Sequence, residues 1–257
     1  LHILHTNWYV NEAMSNPGNH AAHPPISSQE EWLEARLQLL TEEKAHTRQY
    51  DSINAKRRRL PMVQLDKIYT FIGEEGEKTL LDLFEGRTQL IIYQFMFGPD
   101  WKSGCPGCTG WVDALGDLST LGERDTSFAL VSRAPLDKLI DYKKERGWNW
   151  PWYSSFGSDF NFDFHVSLDV SRGPVMFNYK SHEESVQRLN LKDQVEETAG
   201  ASVFFRIGEE IFHTYSTFGR GGEAICDSYR LLDLTPYGRQ EDFEDSPDGW
   251  PQKPTYG

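Results

Sequence analysis

Apolar positions along the chain fall into two kinds of run. Residues 90–97 (Leu-Ile-Ile-Tyr-Gln-Phe-Met-Phe) and 127–132 (Ser-Phe-Ala-Leu-Val-Ser) are short, nearly continuous and rich in β-branched and aromatic side chains. That is the pattern of strands buried on both faces of a sheet. Elsewhere the apolar residues recur every three or four positions: Trp32, Leu33, Leu37 and Leu40; then Trp111, Val112, Leu115, Leu118 and Leu121; then Leu136, Leu139 and Ile140. This spacing predicts helices. Ser28-x-x-Glu31 is a capping box for the first, which runs towards Arg59 and stops at Pro61. So long a helix ahead of the sheet is read as a brace on the main domain, with a dimer arm as the alternative.

The remaining elements follow in order. Residues 69–72 predict a short strand, Gly73-Glu-Glu-Gly76 a turn, and residues 79–84 a short helix. Pro135 opens a helix that Gly147 closes. Strand, helix, strand, helix in this order argues for a parallel βαβ sheet covered on both faces. Eight aromatic residues between Trp148 and Phe164 are assigned mainly to the core. Residues 202–207 and 211–215 predict a hairpin turning at Gly208, and a last helix is expected from about Glu223 to Pro236. The organisation expected is a flexible tail over 1–26, in which Met14 is a candidate start, a packed helix over 27–60, and a main domain over 61–237. An insertion near 171–199, with a strand-like piece at 175–178, and a C-terminal tail over 238–257 complete it.

Composition narrows the classes. A chain of 257 residues is long enough for one generous domain or two small ones, its 38% hydrophobic content suits an ordinary core, and its net charge of −13 argues against a nucleic-acid partner. No run of residues is apolar and long enough to span a membrane. Three cysteines, two of them paired as C-x-x-C, suit a reducing compartment and a cytoplasmic protein better than a disulfide framework.

The chemistry gathers at Cys105-Pro106-Gly107-Cys108, where the strand at 90–97 hands over to a helix. Cys105 at the N-cap with Pro106 at the first helical position sets a thiol among free backbone N–H groups at the positive end of a helix. That placement lowers a thiol pKa, which makes Cys105 the nucleophile. Cys108 lies one turn deeper on the same face, in position to resolve a mixed disulfide. Asp100, Trp101 and Lys102 precede the dithiol; Arg133, Asp159, His213 and Arg220 are further candidates for the substrate pocket or for tuning the thiols. Cys226 is read as an inert thiol inside an apolar helix. A zinc site built on the dithiol with Cys226 and a histidine is the competing reading, weakened by the lack of a second C-x-x-C or a close His pair.

The element order and the dithiol resemble the thioredoxin superfamily. More closely, Phe95-Met-Phe-Gly-Pro-Asp-Trp-x-x-Gly-Cys-Pro-Gly-Cys108, Val131-Ser-Arg-Ala-Pro135, residues 150–160 and His213-Thr-Tyr-Ser-x-x-Gly-Arg220 resemble the bacterial thioredoxin-like family catalogued as domain of unknown function 899. The resemblance implies an α/β fold: a thioredoxin-like mixed sheet with helices on both faces, preceded by the long N-terminal helix. It implies no substrate. Gly104 stands where thioredoxins carry tryptophan, Gly200-Ala201 where they carry a proline, and Gly98 and Lys102 where peroxiredoxins carry proline and threonine. The expectation is therefore a thiol–disulfide oxidoreductase whose dithiol is its own redox group, acting on a protein disulfide or small electrophile with an unspecified electron donor. A thiol peroxidase or redox sensor on the same cysteines, and a non-catalytic binding module, are the alternatives; a homodimer is compatible with each.

Overall fold

The computed structural model describes residues 22–191 and 195–254. Most of the expected N-terminal tail, and part of the insertion, lie outside them. The elements in chain order are α1 (Gln29–Arg57), β1 (Val63–Gln64), β2 (Thr70–Gly73), β3 (Gly76–Thr79), β4 (Gln89–Gln94), α2 (Pro106–Asp113), α3 (Ser119–Gly122), β5 (Thr126–Ser132), α4 (Leu136–Arg146), β6 (Trp152–Ser154), α5 (Phe160–Asp163), β7 (Ser167–Leu168), α6 (His182–Leu189), β8 (Glu196–Glu197), β9 (Gly200–Ile207), β10 (Glu210–Phe218) and α7 (Asp227–Leu232).

Eight strands form one sheet in the order β1-β10-β9-β4-β5-β6-β2-β3. Its centre is parallel, with β4 on β5 and β5 on β6, whereas β9 and β10 return antiparallel beside β4. This is the thioredoxin-like mixed sheet that the sequence led us to expect. Alternation of side chains along β4 divides the core. Leu90 and Ile92 join Phe71, Phe84, Phe160, Phe164 and Phe204 on one face. Tyr93 and the following Phe95 and Phe97 join Cys108, Val112, Leu139 and Trp152 on the other, under α2 and α4. The aromatic segment contributes Trp148, Trp152, Phe160 and Phe164 to these two cores, while Phe156 is exposed.

Several expectations need correction. The helix after the dithiol is broken: α2 ends at Asp113, and Asp117 accepts the Ser119 N–H at 2.9 Å to start α3 as a separate turn. A short acceptor side chain beside Gly116 thus outweighs the apolar spacing that runs through both. Residues 79–84 hold the end of β3 and one 3₁₀ turn rather than an α-helix. Residues 175–178 form no strand, and the insertion instead carries α6, started by a Ser181–Glu184 capping box. The last helix begins only at Asp227, after a 3₁₀ segment over Gly219–Ile225, so Cys226 is its N-cap and not an interior residue.

The N-terminal helix departs furthest from its expected role. The Ser28–Glu31 capping box is closed in both directions, yet α1 contains no buried residue. Trp32, Leu33, Leu37 and Leu39 are all about half exposed, and contact with the domain is at the C-terminal end, where the Arg57 guanidinium lies 4.8 Å over the Tyr215 ring. The helix does not brace the domain with its apolar stripe.

Candidate active site

Strand β4 and helix α2 place the dithiol. Beyond the last pairing of β4 the chain still holds to the sheet through the Phe95 N–H, which donates to the Val131 carbonyl at 2.9 Å. The loop over 98–104 then returns so that the Cys105 N–H donates to the Met96 carbonyl at 3.0 Å. Gly104 makes that return possible: a Cβ there would stand 2.6 Å from the buried Phe95 ring. Lys138 of α4 ties the same loop from outside, donating to the carbonyls of Pro99 at 2.6 Å and Trp101 at 3.0 Å. Thr109 closes the first turn of α2 with a hydroxyl bond to the Cys105 carbonyl at 2.8 Å and a second bond to the Tyr142 hydroxyl, also 2.8 Å.

The two sulfurs are unlike. Cys105 is half-buried at the N-cap and Cys108 is buried; both are free thiols. Cys105 is lowered from its ordinary value near 9 to about 6, chiefly by the Cys108 thiol donating to it, against the opposing effect of burial. The amides of Cys108 and Gly107 add to the lowering. No closed side-chain cap bond is formed, so those amides act as oriented dipoles rather than as full hydrogen bonds. Cys108 is held well above the ordinary range, first by its bond to Cys105 and then by burial. The Tyr93 hydroxyl and the Met96 amide pull it back down. Tyr93 is stacked on Trp111 with ring centres 3.9 Å apart, and the Trp111 indole N–H donates to the Gly222 carbonyl at 3.1 Å. The 219–225 segment therefore folds against α2.

The other sequence candidates divide. Trp101 and Cys105 are each partly buried against the same core. Pro106 is exposed and Gly107 half-buried beside the thiolate, while Asp100 and Lys102 are exposed with no ion-pair partner among the described residues. Arg220 lies in the segment that Trp111 holds, but its guanidinium is engaged by Glu223 at 3.2 Å and sits 3.7 Å over the Phe243 ring. Three candidates belong to structural networks instead. Arg133 pairs with Glu197 at 2.6 Å, and the second oxygen of that carboxylate accepts from Ser167. Asp159 bridges Lys67 at 2.7 Å and Arg172, and these cations hold its carboxyl down to about 2. It is an ion-pair hub and not a side-chain cap. His213 bonds Ser216 at 2.7 Å and packs on Phe164 and Phe204, in the core on the other face of the sheet. Tyr93, Lys138 and Thr109 escaped sequence reasoning because a tyrosine in a strand, a lysine on a surface helix and a threonine in a first turn carry no local signal. Among the described residues, no group of three or more His, Cys, Asp or Glu is arranged to hold a metal ion. No helix among them is long and apolar enough to cross a membrane.

The family model described as "Bacterial protein of unknown function (DUF899)" matches residues 21–256. No curated protein matches. Among solved structures, the chain is similar to the peroxidoxin BcpB of Mycobacterium tuberculosis, at 14% identity and TM-score 0.42 over 66% of this chain and 92% of that one. It is similar also to a cysteine mutant of Xylella fastidiosa PrxQ, at 12% and 0.39 over 63% and 88%. A third likeness is to the thioredoxin peroxidase I of Plasmodium yoelii, at 14% and 0.39 over 76% and 97%. At this distance the likenesses bear on neither substrate nor mechanism.

Proposed function

We propose that this chain, which belongs to the DUF899 family of bacterial proteins, is a thiol–disulfide oxidoreductase in which Cys105 attacks and Cys108 resolves. One arrangement carries the reading: a half-buried free thiol at the N-cap of α2 with a buried free thiol one turn deeper, which brings the first to about 6. At neutral pH such a group is mostly thiolate without being so acidic that it loses its nucleophilicity.

The Cys105 thiolate attacks one sulfur of a substrate disulfide. A bond forms between Cys105 Sγ and that sulfur, the substrate S–S bond breaks, and the second substrate sulfur leaves as a thiolate and takes a proton. The Cys108 S–H then has no thiolate to donate to. Its proton passes to solvent or to a leaving thiolate, and the Tyr93 hydroxyl and Met96 amide favour the resulting anion. Cys108 attacks Cys105 Sγ, releases the first substrate sulfur, and leaves a Cys105–Cys108 disulfide. Two electrons and two protons have passed to substrate, and an external dithiol restores the protein. The cytoplasm, as a reducing compartment, suits the cycle.

The test compares reduction of insulin disulfides and of hydrogen peroxide by the native protein, Cys105→Ser and Cys108→Ser. Native turnover of insulin with both variants at least about a hundredfold slower is the expected result, since each step needs its own sulfur. Fast peroxide consumption without insulin reduction would make the small-peroxide alternative the correct one; Cys105→Ser matching the native protein in both assays would exclude dithiol chemistry.

A further inference from the structure

Helix α1 is 29 residues long, about 43 Å, and none of its residues is buried. Helices in water draw most of their stability from packing an apolar face, so a helix presenting Trp32, Leu33, Leu37 and Leu39 half exposed lacks the contact that its composition serves. Its charges say what that contact is. Glu30, Glu31, Glu34, Glu42 and Glu43 precede the midpoint, and Lys44, Arg48, Lys56 and Arg57 follow it. Each half holds one residue of the wrong sign, Arg36 in the acidic half and Asp51 in the basic half.

We propose that α1 pairs antiparallel with α1 of a second copy of this chain, about a two-fold axis between Glu43 and Lys44. In that register Glu43 meets Lys44 of the other copy, and Leu37 lies level with Tyr50. The two exceptions also meet, Arg36 against Asp51. Within its own copy the Arg36 Nη2 donates to Glu43 at 2.7 Å. The Asp51 carboxylate of a second copy is of opposite sign to this guanidinium. Asp51 has no ion-pair partner among the described residues of its own chain. A parallel pair would set acid against acid and base against base. Leu33, Leu37 and Leu40 of each copy lie on this face and contribute apolar contact, and the charges select orientation and register.

Sedimentation of the full chain at low salt tests this. The native protein is expected at twice its 29.6 kDa mass. Arg36→Asp and Asp51→Arg each create like-charge contacts at two symmetry-related places and should weaken the dimer about tenfold or more. The swapped double variant Arg36→Asp/Asp51→Arg should recover it. Mixing the two single variants should give a heterodimer, since both cross-contacts are then opposite in sign. Arg36 is half-buried and Asp51 exposed, and native near-ultraviolet dichroism checks that the monomer fold is kept in each variant. A native monomer at tens of micromolar would overturn the proposal. So would a dimer indifferent to both reversals, which would place the interface elsewhere.

Discussion

At the scale of single residues, the asymmetry of the dithiol comes from what each sulfur can share. Cys105 receives a hydrogen from Cys108 and faces two amides, so its anion is favoured; Cys108 gives that hydrogen away in a buried position, so its neutral form is favoured. This has a consequence for the stability of the reduced protein. Cys105 is lowered on folding, so between about 6 and its ordinary value near 9 the folded chain has released a proton that the unfolded chain still binds. Stability should therefore rise with pH across that window and be lost as pH falls through about 6. Cys108, shifted the other way, acts with opposite sign only at higher pH. Urea denaturation of reduced protein from pH 5 to 9 checks this: Cys105→Ser should flatten the rise, and an unchanged slope would remove the thiolate from the account. The spacing of Cys105, Pro106 and Cys108 pointed to an acidic Cys105 through the helix N-terminus, but not to the Cys108 thiol as its chief hydrogen donor. Tyr93 was not legible either, because its hydroxyl reaches Cys108 across the space between a strand and a helix, which no sequence spacing encodes.

At the scale of elements, α2 is defined by two glycines with contrasting surroundings. Gly104 lies where a Cβ would meet the rings of Phe95 at 2.6 Å and Tyr142 at 3.2 Å, whereas around Gly110, inside the helix, a Cβ would meet nothing within 4 Å. Gly104→Ala should destabilise by about 1–3 kcal/mol through overpacking and should displace the Cys105 turn with it. Gly110→Ala should stabilise by about 0.5–1 kcal/mol through helix propensity. Thermal melts of the two variants decide, and equal effects would mean that the tight return before Cys105 is misjudged. Elements with one dominant signal were readable: β4 and β5 from continuous apolar runs, α4 from Pro135 and Gly147, and the β9–β10 hairpin from Gly208. Those with competing signals were not. Periodicity through Leu115, Leu118 and Leu121 hid the stop after Asp113, and the aromatic density around Trp152 hid β6, a short strand whose neighbours are specified by the sheet.

At the scale of the whole molecule, the mixed sheet sets the dithiol at the end of β4, with α4 tying the preceding loop and the 219–225 segment lying against α2. Which candidate residues reach that end was the least legible feature, because strand alternation decides it. Arg133 and Asp159 are taken up by ion pairs, and His213 packs into the opposite core. What remains is a molecule with three thiols in three environments: Cys105 half-buried and acidic, Cys108 buried beside it, and Cys226 buried next to Ser228 at 3.2 Å. Differential alkylation of the reduced native chain from pH 4 to 9, read by mass spectrometry at all three sites, shows whether Cys105 is the activated thiolate. Cys105 should label first at every pH, with a midpoint at about 6, and Cys108 and Cys226 should lag far behind. A Cys105 midpoint near 9, or Cys226 labelling as fast as Cys105, would contradict that activation.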